Sequence, residues 1–279
     1  MVGDLFALMW VPFLMCLVLT GIYAYLGLHV IAREVVFVDI ALAQLAALGA
    51  TGAFLVGFEL PSWVSYGFAL GATFVGAAVL ALTRSQRRSV SQEAMIGVVY
   101  AVSAAAAILV LDRAPHGAEH LKAMLVGNIL TVGGGELVRV AALCGAVGAF
   151  HWWARRAFLL ITTYPAEAYQ QGLSVRLWDF LFYASFGLVV TGSVRIVGIL
   201  LVFSYLIVPA LAGLTWGTRL GARLAIGWSL GGVVSIVGMV GSAIFDLPTG
   251  ATIVCVFGLA LLVLWAVSLL RKGGVPQAV

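Results

Sequence analysis

Few residues of this chain could do chemistry, and the most conspicuous sits where a charge is expensive. The stretch VFVDIALAQLAALG, residues 37–50, holds one carboxylate, Asp39, and one amide, Gln44, in an otherwise apolar run. An ionised Asp at the centre of a lipid-crossing helix costs about 2.5 to 3.5 kcal/mol even on a lenient insertion scale. Such a group either meets a cation in a protein-lined pathway or caps or bonds a neighbouring helix. Gln44 offers packing or an interhelical hydrogen bond, and alternatively a metal contact. A second group is RAPHGAEHLK, residues 113–122, with His116, Glu119 and His120. If helical, its i and i+4 imidazoles share a face and could share a metal. Gly117 weakens that helix, and a polar loop is also an ordinary place for His and Glu.

These groups need elements to position them, and composition decides the solvent. Of 279 residues, 63% are hydrophobic and only 9% charged, with mean hydropathy +1.14, far from the roughly 25% charge of ordinary soluble domains. A crossing needs roughly 20 apolar residues. The expectation is an all-α, polytopic membrane protein of about eight to nine spans, near 5–28, 37–58, 63–82, 95–112, 136–154, 177–193, 196–213, 222–243 and 250–270. Spans of a β-barrel would alternate apolar and polar, and these do not. No linker or charge block divides residues 1–279, so they read as one transmembrane domain.

Phe180 to Ala212 as one straight helix would run about 50 Å against a core of about 30 Å. It must turn, around Gly192–Arg195–Gly198. Residues 122–135, KAMLVGNILTVGGG, are too short to cross and end in three glycines, so they read as a re-entrant or interfacial piece. The net charge of +4 does not indicate nucleic acid, because the basic residues lie in short clusters between apolar runs. Putting Arg84, Arg87 and Arg88 in the cytoplasm also puts Arg33, Arg155, Arg156, Arg176, Arg219, Arg223, Arg271 and Lys272 there. Arg113, Lys122, Arg139 and Arg195 remain outside, and this eleven-to-four asymmetry makes the C-terminus cytoplasmic.

Residues 162–179, TTYPAEAYQQGLSVRLWD, form the longest polar segment on that side. Pro165 suits a first helical turn and Gly172 a stop, so one short helix is expected between them. Its bland reading is a solvated loop cap. His29, and His151 beside Trp152 and Trp153, read as interfacial members of an aromatic belt. Cys16, Cys144 and Cys255 read as small core residues. Arg195 reads as a snorkelling anchor, or else as a pathway-lining cation. Glu59, Asp112 and Asp246 read as outer-loop charges. Pro209 should kink its span, which suits a gate. The chain has no GxxxxGKS/T phosphate loop, so any use of ATP must come from a partner.

Several ordered blocks then carry a resemblance over residues 30–270. They are SQEAMIGVVYAVSAAAAILV, LVGNIL, YPAEAYQQGLSV, SVRIVGILLVFSYLIVPALAG and FDLPTGATIVCVFGLALL. Together they resemble the permeases of the zinc/manganese/iron family of bacterial ABC importers. The resemblance implies a type II importer-like permease in the inner membrane, importing a divalent metal. It implies two copies around a central pathway, a cytoplasmic ABC ATPase dimer that alone binds ATP, and an extracytoplasmic solute-binding protein. No covalent cofactor and no nucleic-acid partner are implied. The segment Tyr164, Pro165, Ala166, Glu167, Ala168, Tyr169, Gln170, Gln171 and Gly172 matches the family's coupling helix.

The segment around Asp39 departs from the family pattern. That pattern is Gly-Asp-Ala-Leu-Ser-His-Ala, with Asp and His four apart on one face. Asp39 is in place but Ala43 stands where the family has His, and Gln44 lies roughly 100° further round the helix. This leaves room for a second cargo class, a chelated metal or small organic solute carried by the same architecture. An ion-coupled secondary transporter would instead show inverted repeats with broken spans. An intramembrane enzyme would need a cluster of acid, base and nucleophile that the spans lack.

Overall fold

A computed structural model describes residues 2–59, 62–84, 91–112 and 126–272. Helices account for nearly all of them: α1 Val2–Ala32, α2 Val38–Leu55, α3 Trp63–Thr83, α4 Gln92–Leu111, α5 Gly134–Trp153, α6 Arg155–Thr163, α7 Pro165–Gln170, α8 Val175–Val197, α9 Ile199–Trp216, α10 Leu220–Phe245 and α11 Thr249–Lys272. One 3-10 turn, Ile129–Thr131, precedes α5. Among the described residues, eight helices are long and apolar enough to cross a membrane, or nine if α5 and α6 count as one span bent by 74°. That matches the eight to nine crossings expected; the first run, Met9–Ala32, is long and apolar enough to cross, and the open case is the bent pair α5 and α6. Residues 136–154 end at Ala154, and α6 turns away instead of continuing.

Local chemistry sets several helix ends. Ser62 and Ser91 accept the N–H of Ser65 and Ala94, capping α3 and α4. The Glu136 carboxylate reaches back to the Gly133 N–H at the start of α5. The turn expected between Gly192 and Gly198 occurs at one residue, Gly198, with φ +84°. It packs against Gly127, φ +63°. A Cβ on either glycine would strike the other's backbone, and the Asn128 N–H donates to Ile196 O at 3.0 Å. The described part of the short segment thus docks on the α8–α9 break without crossing, as expected for residues 122–135. Gly198→Ala is expected to cost about 1–3 kcal/mol for the positive-φ, extended conformation alone, with the collision added. A thermal melt in detergent would read this as a lower midpoint, and an unchanged one would contradict the packing.

Consecutive spans alternate in direction. Arg33, Arg84 and Asp179 meet at one end of the bundle, called the basic end below, while Arg139 and Arg195 both line a cleft at the other. The core is built by α1, α2, α8 and α9 around Tyr23, Tyr183, Tyr205, Phe182 and Phe186, all essentially inaccessible. In the most apolar windows of α1, α2 and α8, 67% of residues are buried, against 22% for α4 and 17% for α11. The last two helices are the periphery of the protomer.

Candidate functional site

Asp39 lies in the first turn of α2, which packs chiefly against α3 and α4 and touches α8 and α9. Position in the first turn favours an anion, because the helix dipole is positive there. Its side chain is fully buried, yet neither carboxylate oxygen has a hydrogen-bond partner. The Tyr23 hydroxyl on α1 is also fully buried without a partner, and it lies within electrostatic reach of Asp39. The cap position before α2 is Phe37, whose N–H is taken by Glu93 of α4 at 3.0 Å. Asp39 therefore makes neither a capping bond nor a bond to another helix. A lone buried ion carries a penalty of several kcal/mol, so the arrangement suits an arriving cation.

Ala43 is fully inaccessible and belongs to the main core, and Gln44 is also buried. With no solvent-accessible surface at Ala43, an added imidazole has to displace its packed neighbours. Ala43→His should therefore overpack the core and cost about 1–3 kcal/mol. A lowered melting midpoint would show it, whereas a more stable variant would mean that the site has room for a second ligand.

At the basic end lies a network that the sequence reading missed. Arg33, just beyond α1, donates from Nη1 to Asp179 Oδ1 at 3.0 Å. Arg84, capping the C-terminus of α3, donates to both Asp179 oxygens. Asp179 on α8 is fully buried and Arg33 nearly so, while Arg84 keeps 20% of its side chain exposed. Burial pushes the Arg33 pKa down, and Asp179 is the main opposing influence. The Arg33 guanidinium also stacks 4.1 Å over the Phe182 ring. Its Nε donates at 2.9 Å to the Thr162 hydroxyl of α6, which lies 2.8 Å from His29 Nδ1. The hydroxyl accepts from Arg33 and, depending on the imidazole tautomer, donates to or accepts from His29 Nδ1. One signal was available: Asp179 sits a single turn inside an apolar span, at the end where arginines gather.

His29 and His151 are corrections to the interfacial reading. Both are buried, His151 bonded to Ser185 at 2.8 Å and stacked on Phe158 at 4.4 Å. Only their neighbours Trp152 and Trp153 face outward. Cys16 and Cys144 are buried as expected, but Cys255 is exposed on α11.

The segment after α6 has the expected shape. Tyr164 precedes α7, Pro165 opens it, Ala166, Glu167, Ala168, Tyr169 and Gln170 complete it, Gln171 caps it, and Gly172 turns the chain at φ +75°. It is not a loose loop, because Ala168 is buried in a small separate core with Ile161 and Val175. Pro209 is buried within α9, its carbonyl close against Gly227 of α10. At the opposite end, Ser62, Trp63, Tyr66, Glu136, Arg139 and Arg195 line a cleft of about 530 Å³. Arg195 is exposed there. His116, Glu119 and His120 lie outside the described residues. Among the described residues no three His, Cys, Asp or Glu side chains gather as a metal site.

Comparison with known proteins gives this geometry its setting. The chain is 25% identical over 245 residues, 86% of each chain, to a Haemophilus influenzae protein named "Probable iron transport system membrane protein". It is 28% identical over 209 residues, 73% of each chain, to the manganese transport system membrane protein MntC of Listeria innocua. The solved structure of PsaBC from Streptococcus pneumoniae in complex with Fab shares the fold, with a TM-score of 0.78 over 95% of each chain at 18% identity. Residues 6–268 match the family model described as "ABC 3 transport family", and with nearly its whole length matched this chain belongs to that family of membrane transport permeases.

Proposed function

We propose that the chain is the permease of an ABC importer that carries a divalent transition metal, manganese, iron or zinc, into the cell. Two copies enclose the pathway in the inner membrane, a separate ATPase dimer binds and hydrolyses ATP at the basic end, and an extracytoplasmic protein delivers the metal outside. The basic end and the C-terminus face the cytoplasm, in line with the positive-inside count. The sparsely covered α4 and α11 are the natural surfaces for a second copy, because a protomer that leaves two spans so exposed has apolar area to share.

The observation that carries this reading is the helix Pro165–Gln170, held rigidly at the basic end by Ala168 in its own core. A short rigid helix anchored on one side and presenting exposed Tyr164 and Glu167 on the other is suited to seat in a partner and be displaced by it. A secondary transporter has no use for such a stub. Scrambling residues 164–172 should abolish co-purification of the ATPase and ATP-driven uptake together. Intact ATP-driven uptake in that variant would refute the reading.

The cargo assignment rests on Asp39. A hard carboxylate oxygen suits manganese, with iron and zinc accepted less selectively without an imidazole. Gln44 contributes a contact only when α2 rotates, Pro209 provides a flexible point in α9, and His116, Glu119 and His120 form an accepting mouth outside. Asp39 is sealed within the protomer, so a cation reaches it only after neighbouring helices move. Ala43 favours a second reading, a chelated metal or small organic solute. Competition distinguishes the two: free metal should outcompete its chelate if the first holds.

A further inference from the structure

A partner's stroke on α7 must reach α2 for Asp39 to be opened or closed, and among the described residues α7 has no extensive packing against α2. One route runs through apolar packing, from Ala168 to Val175 of α8 and on to α2; a second runs through polar groups. Helix α6 leads into α7 after one residue, Tyr164, and its last turn carries Thr162. That hydroxyl holds α1 twice, through Arg33 Nε and His29 Nδ1. Arg33 passes to Asp179 of α8, and Asp179 to Arg84 at the end of α3. Helix α3 packs along α2 more extensively than any other pair of helices in the bundle.

The chain of bonds has features of a movable joint more than of a rigid staple. Two guanidinium groups share one buried carboxylate, so the cluster keeps an excess positive charge. One buried Arg33 nitrogen, Nη2, has no partner. Arg84 is the more exposed member, able to leave toward water while Arg33 keeps Asp179 paired. Two arrangements of the same groups, with Arg84 bound or released, differ by one ion pair whose arginine is partly hydrated. Because Arg33 still neutralises Asp179 in the released arrangement, a partner's stroke can reverse that difference.

We infer that Thr162, Arg33, Asp179 and Arg84 are positioning residues that transmit displacement of the 164–172 stub to α3 and thereby to the Asp39 helix. This rests on the proposed function and deepens it by naming the mechanical route. Uptake per ATP hydrolysed therefore depends on Thr162, although Thr162 touches neither metal nor nucleotide.

The test uses the full complex, permease with its ATPase and binding protein, reconstituted in liposomes with manganese as the probe. Thr162→Val keeps the shape of the side chain and removes both bonds. Expected are ATPase co-purification and ATP hydrolysis within about twofold of the unmodified complex, with manganese uptake per ATP at least tenfold lower, and recovery in Thr162→Ser. Should Thr162→Val fold poorly, Arg84→Gln at the exposed end of the chain should also lower the ratio. Combining Arg84→Gln with Thr162→Ser should add no further loss. Manganese uptake per ATP unchanged in Thr162→Val or in Arg84→Gln would overturn the linkage alone. No ATP-driven uptake by the unmodified complex would overturn the proposed function and the linkage with it.

Discussion

Asp39→Asn is expected to reduce metal accumulation at least tenfold while leaving the protein as stable as before, or more so. The two halves of this outcome come from one fact, that both carboxylate oxygens are buried and unpartnered. Replacing the ion by a neutral amide of the same shape removes the strong attraction for a divalent cation, and each tenfold loss corresponds to only about 1.4 kcal/mol. In the empty protein the same exchange trades one unpartnered buried polar group for another of the same shape, each costing about 1–3 kcal/mol, and any share of the carboxyl that stays charged costs more. A structural carboxylate behaves in the opposite way, because removing it strands its partners. Uptake and melting midpoint measured on one preparation separate the cases: a lower midpoint with normal uptake would make Asp39 structural.

Asp179→Ala is that contrasting case and should produce the largest loss of stability of any single change at the basic end. The substitution leaves two guanidiniums together, Arg33 almost fully buried and Arg84 mostly so, with their shared counter-ion gone. Removing one member of a buried pair costs about 3–5 kcal/mol, chiefly from the charge left behind. Arg84→Ala should cost less, because Arg33 continues to neutralise Asp179 and Arg84 was partly hydrated. The expected order of loss is Asp179→Ala, then Arg33→Ala, then Arg84→Ala, read from thermal melts in one detergent. Equal effects of the three would mean that shared pairing is not what holds these helices together.

The features legible in the sequence were those set by local chemistry. Pro165 and Gly172 bound the stub because proline fixes φ and glycine accepts positive φ, and both act within a turn. The break between α8 and α9 followed from length against bilayer thickness, and Gly198 took it because only glycine sits easily at φ +84°. What escaped was set by tertiary partners. Asp179 meets arginines 146 and 95 positions away, and no local pattern marks such a pairing. His151 was grouped with Trp152 and Trp153 by adjacency, yet on a helix those positions lie roughly 100° and 200° round from it. They point outward while His151 points in. Asp39 was visible as a residue type, but its lack of any partner is a property of the packed bundle.

The central claim is that an external ATPase drives a divalent metal through this permease. Its most direct test is radiolabelled manganese uptake into liposomes holding the complete complex, with ATP on the side of the basic end. The account predicts accumulation that requires hydrolysable ATP, stops with a non-hydrolysable analogue and is indifferent to an imposed proton or sodium gradient. Accumulation driven by such a gradient without ATP would contradict it.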